Sequence, residues 1–235
     1  MTKPFLVHLN VEWPRPAISA RVGPKPAADR YDPRIATPRR KYAPAQRRRD
    51  LADAAITLLG SNGARGLSHP RVDQHAGVPA GTTSFYYRTR KALVQAVASR
   101  ISELDIADLS MLTELAHDDS LGYSGTLGLA RLVMLSGTEP YLTRTRARFE
   151  VILNARNDPE LADIVLAYGV QLYGLAREVI AQWYDGHPEA DQLVEPRAMM
   201  VMTYISGVMT SFVQGQPVVS DGNELDAMIQ HILRT

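Results

Sequence analysis

The 235-residue sequence predicts an all-α protein in which three short N-terminal helices, the second and third forming a helix-turn-helix, lead through a long helix into a larger helical domain. Three observations carry this. From about Gln46 onward, apolar residues recur every three or four positions, the spacing that lines one face of a helix. No segment alternates apolar and polar residues in the manner of a half-buried strand. Charge divides the chain: residues 1–49 carry 12 Lys/Arg against 3 acids, residues 50–103 carry 6 against 4, and residues 104–235 carry 8 against 18. A basic leading part joined to an acidic trailing part points to two different tasks, the first facing a polyanion.

Residues 1–45 hold 8 of the 15 prolines and show no sustained period, so they read as an extended or disordered basic arm. Arg39, Arg40, Lys41, Arg47, Arg48 and Arg49 place six cations within eleven residues at its end. A first helix runs from about Gln46, with Leu51, Ala54, Ala55, Leu58 and Leu59 as its apolar stripe, and stops at Gly60-Ser61-Asn62-Gly63. Ser68 caps a short second helix holding Val72 and Ala76, and Gly77 closes it in a tight turn. Pro79 opens a third helix through about Tyr86, since the first helical position needs no backbone donor. Thr89 caps a long fourth helix on which Leu93, Val97, Ile101, Leu104, Ala107 and Met111 share a face. The acidic part reads as about five more helices: Leu121 to Ser136, Tyr141 to Ala155, a long one started by Asp158-Pro159-Glu160 and running to Trp183, Pro196 to Val213, and Asn223 to Arg234. The expected division is an arm over 1–45, a helix-turn-helix domain over 46–92 and a second helical domain over 93–235.

Several function classes fall away. The chain has no Cys, which excludes disulfide scaffolds, thiolate metal sites and cysteine nucleophiles. The glycines from Gly60 to Gly66 lack a G-K-[ST] ending and follow a helix, so they form a helix-connecting turn and no phosphate cradle. The histidines are scattered, and His117-Asp118-Asp119 reads as a solvated loop rather than a metal site. No Ser-centred elbow or dinucleotide fingerprint is present. The expectation is therefore no enzyme, no metal and no cofactor. Phe5 to Val11 is too short and too interrupted for a secretory signal, and a cytoplasmic protein is expected. Residues 198–220 carry no charge, but the apolar run Ala198–Val213 falls short of the roughly 20 residues that a bilayer needs. It reads as a helix covered on both faces, by its own core and by a second subunit. No membrane partner is expected. A homodimer is, through about residues 196–213 and 223–234, with Val208 or Ile205 facing the partner.

The segment from Val72 to Leu93 is the informative one. Two short helices meet at Gly77, and the second carries Thr82, Thr83 and Ser84 with no long side chain before Phe85. Such a helix can approach another molecule closely. In a helix-turn-helix the first helix braces the phosphate backbone while the second enters the major groove. The apolar helix Leu51 to Leu59, the Gly63 and Gly66 turn, Ala76-Gly77-Val78, Gly81-Thr82, the aromatic pair Tyr86-Tyr87 and Arg90 followed by Leu93 together resemble the TetR family of bacterial transcriptional regulators over about residues 46–100. The resemblance implies an N-terminal helix-turn-helix DNA-binding domain joined by a long helix to a helical ligand-binding and dimerisation domain. It places Thr82, Thr83 and Ser84 at the groove, with Tyr86, Arg88 and Arg90 at phosphates. Ser68 and Arg71 at the second helix and Arg47, Arg48 and Arg49 before the first complete the expected DNA-binding set. The chain departs from the family pattern at Thr83-Ser84, where Leu-Tyr is usual, at Tyr87, where Phe is usual, and at Asp73, where a small apolar residue is usual.

For the acidic domain, Met111, Tyr123, Tyr141, Arg148, Phe149, Tyr168, Tyr173 and Met202 are the candidate lining of a pocket for a small-molecule effector. The reading is a homodimeric repressor of a double-stranded DNA operator, released by that unidentified effector. Two others stand beside it. A non-specific architectural nucleic-acid binder would prefer no operator over random duplex. An enzyme using the C-terminal helices would show activity in that domain alone.

Overall fold

The computed structural model describes residues 44–109 in full, the backbone of 110–115, and residues 124–235. The described residues form one compact unit. The expected residues Arg39, Arg40, Lys41, Tyr123 and His117-Asp118-Asp119 lie outside the described part, as does the side chain of Met111. Nine helices follow in order among the described residues, with no strand: α1 (Pro44–Gly66), α2 (His69–His75), α3 (Thr82–Tyr86), α4 (Arg90–Leu115), α5 (Gly125–Leu135), α6 (Tyr141–Ala155), α7 (Pro159–Trp183), α8 (Ala190–Val213) and α9 (Gly222–Arg234).

Side-chain caps set three of these starts. Thr89 Oγ1 accepts the Ala92 N–H at 3.0 Å at the head of α4. Asp158 accepts the Leu161 N–H at the head of α7, and Asp221 accepts the N–H groups of Asn223 and Glu224 at the head of α9. Four boundaries differ from expectation, and the helix expected from Leu121 begins only at Gly125, behind an extended Ser124. The first helical run continues through Gly60 and bends at Gly63, because α6 crosses α1 at Gly60 and needs the bare backbone there. A Cβ at Gly60 would sit 2.0 Å from the Thr143 carbonyl oxygen. The third helix starts at Thr82 rather than Pro79. The helix expected from Pro196 begins six residues earlier, with Pro196 inside it, because Val194 buries its side chain with the α7 end residues Ile180 and Tyr184.

Two apolar cores result. The first joins Leu51, Ala55, Leu58 and Leu59 of α1, Leu67, Val72 of α2, Tyr87, and Leu93, Val97 and Ile101 of α4 with Ala147, Val151 and Ala155 of α6. Each large aliphatic side chain buried here contributes about 1.5–3 kcal/mol. Arg100 fastens α4 to α1 through both Asp53 oxygens, at 2.7 and 3.2 Å. The second core packs Ala130 and Val133 of α5, Ile180 of α7, Ala198, Val201, Ile205, Val208 and Phe212 of α8, and Leu225, Ile229 and Leu233 of α9. Val208 and Ile205 thus face their own chain, not a partner, because the 198-201-205-208-212 spacing turns them into the core that α8 shares with α7 and α9. The outer face of α8 instead exposes Met199, Met200, Thr203, Ser206 and Gly207. One helix among the described residues, α7, is long and apolar enough to cross a membrane by length and composition.

Candidate nucleic-acid interface

The turn between α2 and α3 is set by Gly77, whose φ of 62° a side chain would oppose. What fixes α3 against α2 is a carboxylate. Asp73 Oδ1 accepts the Thr83 N–H at 2.7 Å and the Thr83 hydroxyl at 2.5 Å, while Oδ2 accepts the Gly81 N–H at 2.7 Å. One buried side chain thereby satisfies two backbone donors at the start of α3, which the helix itself cannot. Burial by itself would raise the Asp73 pKa. The hydrogen bonds from Thr83 and Gly81, with the nearby His69, outweigh it and hold the carboxyl below its ordinary value.

This clamp decides which residues face outward. Thr83 is fully buried, which corrects its expected place at the groove: its hydroxyl and amide both point at Asp73. Thr82 is half-buried and donates its hydroxyl to the Pro79 carbonyl at 2.6 Å. Ser84 is exposed, and so is Phe85, at 79%. Tyr86 meets Phe85 edge-on, ring centroids 5.2 Å apart, and its own ring lies 5.5 Å below the Arg48 guanidinium. Tyr87, the unusual phenol, is buried and donates to the Arg48 carbonyl at 3.0 Å. The basic start of α1 therefore lies beside the end of α3. Arg88 is exposed, Arg47 is half-buried, and Arg49 is 3.9 Å from Glu103 in an exposed pair.

Of the remaining expected contacts, Arg90 and Arg71 are engaged within the chain. Arg90 donates from Nη2 to the Ala64 carbonyl at 2.6 Å and from Nη1 to the Leu67 carbonyl. It closes the C-terminal end of α1, where a cation suits the exposed carbonyls, so a phosphate role would have to be shared with a structural one. Ser68 occupies the N-cap position of α2 without a side-chain capping bond. Arg71 is exposed and reaches Asn62 at 3.4 Å. Asp73 and Phe85 were absent from the expected set.

No family model matches the chain, and no curated protein does. Solved structures do. A TetR-family member from Streptomyces coelicolor aligns with a TM-score of 0.60 at 20% identity, over 80% of this chain and 98% of that one. The multidrug binding protein EbrR complexed with ethidium gives 0.57 at 20% identity, over 81% and 99%. A transcriptional regulator from Rhodococcus gives 0.56 at 18%, over 80% and 94%. The chain has the TetR-family fold.

Within this TetR fold, the residues expected to line an effector pocket divide into separate groups. Arg148 Nη2 donates to Asp105 Oδ2 at 2.6 Å, and the Tyr168 hydroxyl donates to the same oxygen at 2.5 Å. Arg144 lies 3.1 Å from Asp105 Oδ1, pairs with Asp108 as well, and sits 5.0 Å over the Tyr141 ring. This buried knot joins α4, α6 and α7. Burial first, and then the Asp105 charge, push the Tyr168 pKa up against the opposing pull of Arg148, so the phenol stays a donor. Arg148 Nε is buried with no hydrogen-bond partner. Tyr173 belongs elsewhere, donating to Glu195 at 2.7 Å beside the Arg177–Glu195 pair. Met202 packs on the second core, and Phe149 is half-buried on α6. A cleft of about 280 Å³ between the facing ends of α7 and α8 is lined by Arg177, Tyr184, Asp185, Asp191 and Glu195 among others. No cluster of three metal-ligating side chains occurs among the described residues.

Proposed function

We propose that the protein is a homodimeric, sequence-specific DNA-binding transcriptional repressor, released from its operator by a small-molecule effector. The observation that carries this reading is the Asp73 clamp. It holds α3 from the buried side while Ser84, Phe85 and Arg88 remain exposed next to Arg48. A surface helix fastened so rigidly and so basic at its edge suits the major groove, with Ser84 and Thr82 toward base edges and Tyr86, Arg88, Arg48 and Arg71 toward phosphates.

The dimer forms, in this reading, through the outer face of α7 and α8. Leu166 and Val170 on α7 are 67% and 63% exposed. Glu195 of α8 holds Tyr173 and Arg177 of α7, so the two helices run antiparallel, and one turn beyond that contact stand Val170 and Met199. The outer face of α9 is more polar, with Asn223, Glu224, His231 and Arg234 exposed, and is left out of the interface. Effector binding acts at the knot around Asp105. A ligand that draws Arg148 or Tyr168 away from Asp105 shifts α6, and α6 bears on α1 at Gly60. EbrR with ethidium is a precedent for a small molecule in this fold.

Enrichment of random duplexes on the purified protein tests the central claim. A two-fold symmetric sequence with half-sites about one helical turn, or a multiple, apart is expected. Binding without enrichment would instead support the architectural reading.

A further inference from the structure

The outward face of α3 is poor in free hydrogen-bonding groups. Of its three aliphatic hydroxyls, that of Thr83 is buried on Asp73 and that of Thr82 is donated to the Pro79 carbonyl, which leaves that of Ser84 on the exposed side. What projects is an aromatic ring, Phe85, preceded by Gly81, Thr82, Thr83 and Ser84, none of which has a side chain of comparable reach. The ring has a defined support: it rests edge-on against Tyr86, which is itself covered by the Arg48 guanidinium. A large exposed apolar side chain amid Arg48 and Arg88 is at odds with a solvated surface and with an apolar protein partner. It suits a polyanion that offers an apolar group at the depth a recognition helix reaches. The major groove has one such group, the 5-methyl of thymine.

We propose that Phe85 is a specificity-determining residue that reads thymine by packing its ring against the 5-methyl group. The proposal rests on the DNA-reading role argued above. The same chemistry extends to 5-methylcytosine, which carries its methyl at the equivalent position of the ring.

The test uses the enriched operator and the full chain. Each thymine is replaced in turn by uracil, which removes the methyl and leaves every hydrogen-bonding atom in place. At one or two positions in each half-site, affinity is expected to fall about fourfold, the effect of one buried methyl group. The loss should disappear in Phe85→Ala, be partly retained in Phe85→Leu, and be reversed when 5-methylcytosine replaces cytosine in an operator variant carrying cytosine there. Because Phe85 is exposed, both variants should keep the parental melting temperature. Uracil operators bound as well as thymine operators would overturn the proposal, as would a thymine preference that survives Phe85→Ala. A Phe85-dependent bend in the duplex without any uracil effect would overturn it too, and would assign the ring to a wedge between base steps. A protein that enriches no sequence overturns the regulator reading along with it, so the two failures are told apart.

Discussion

Asp73 governs α3 through three hydrogen bonds, and its charge is what makes them strong. Its pKa is depressed in the folded chain, so the stability it supplies is present above the unfolded value of about 3.9 and is lost as pH falls through the lower folded value. Asp73→Asn turns an N–H toward Gly81 or Thr83 where an acceptor is required. Thermal unfolding is expected to show a lower melting temperature for Asp73→Asn at neutral pH, with the gap to the parent narrowing below about pH 4. A gap constant from pH 7 to pH 3 would show that the charge is immaterial. Thr83→Val keeps the shape and removes one charge-assisted bond, so it should cost about 1.5–3 kcal/mol in urea unfolding while leaving base preference as it was. A changed preference would return Thr83 to the groove. The sequence displayed both residues but hid their relation. Asp73 reads as an oddity in a helix until Thr83 and Gly81 lie beside it, and the hydroxyls of α3 look equivalent until one is buried. Helical geometry then settles Phe85, because two positions along a helix is a turn of about 200°, which sends Phe85 outward once Thr83 points inward.

The contact of α6 with α1 is where the acidic half of the chain meets the basic one. Gly60→Ala would drive a methyl into the Thr143 carbonyl, and the helices would have to separate, at about 1–3 kcal/mol. Chemical denaturation should register that loss. An unchanged midpoint would mean that the two helices already have slack between them. α7 is legible from end to end because capping and proline chemistry is local: Asp158 caps its head and Pro159 takes its first helical position. Gly60 was misread for the opposite reason. A glycine in a helical run signals an end when only neighbours are considered, and the helix crossing that requires it lies more than 80 positions away. Pro196 misled in the same way, since packing of Val194 against the end of α7 sustains the helix past a residue that leaves one of its bonds unmade.

Leu166, Val170, Met199 and Met200 are exposed on two adjacent helices, whereas the charge-free stretch from Ala198 to Ser220 points to α8 without telling its outer face from its buried one and says nothing of α7. Val170→Glu places a carboxylate where a second subunit is expected. Sedimentation should find a folded monomer with reduced operator affinity, because an unpaired charge costs several kcal/mol at a buried interface. A dimer that persists would move the interface off α7. The first core has a practical consequence for building hybrids of this fold. Ala147, Val151 and Ala155 complete the packing around Leu51, Leu59 and Leu93, so a chimera spliced just after α3 would strip the N-terminal helices of part of their own interior. The exchangeable cassette is the group α1 to α4 together with α6, and a foreign C-terminal domain would have to be grafted around α6 rather than in place of it.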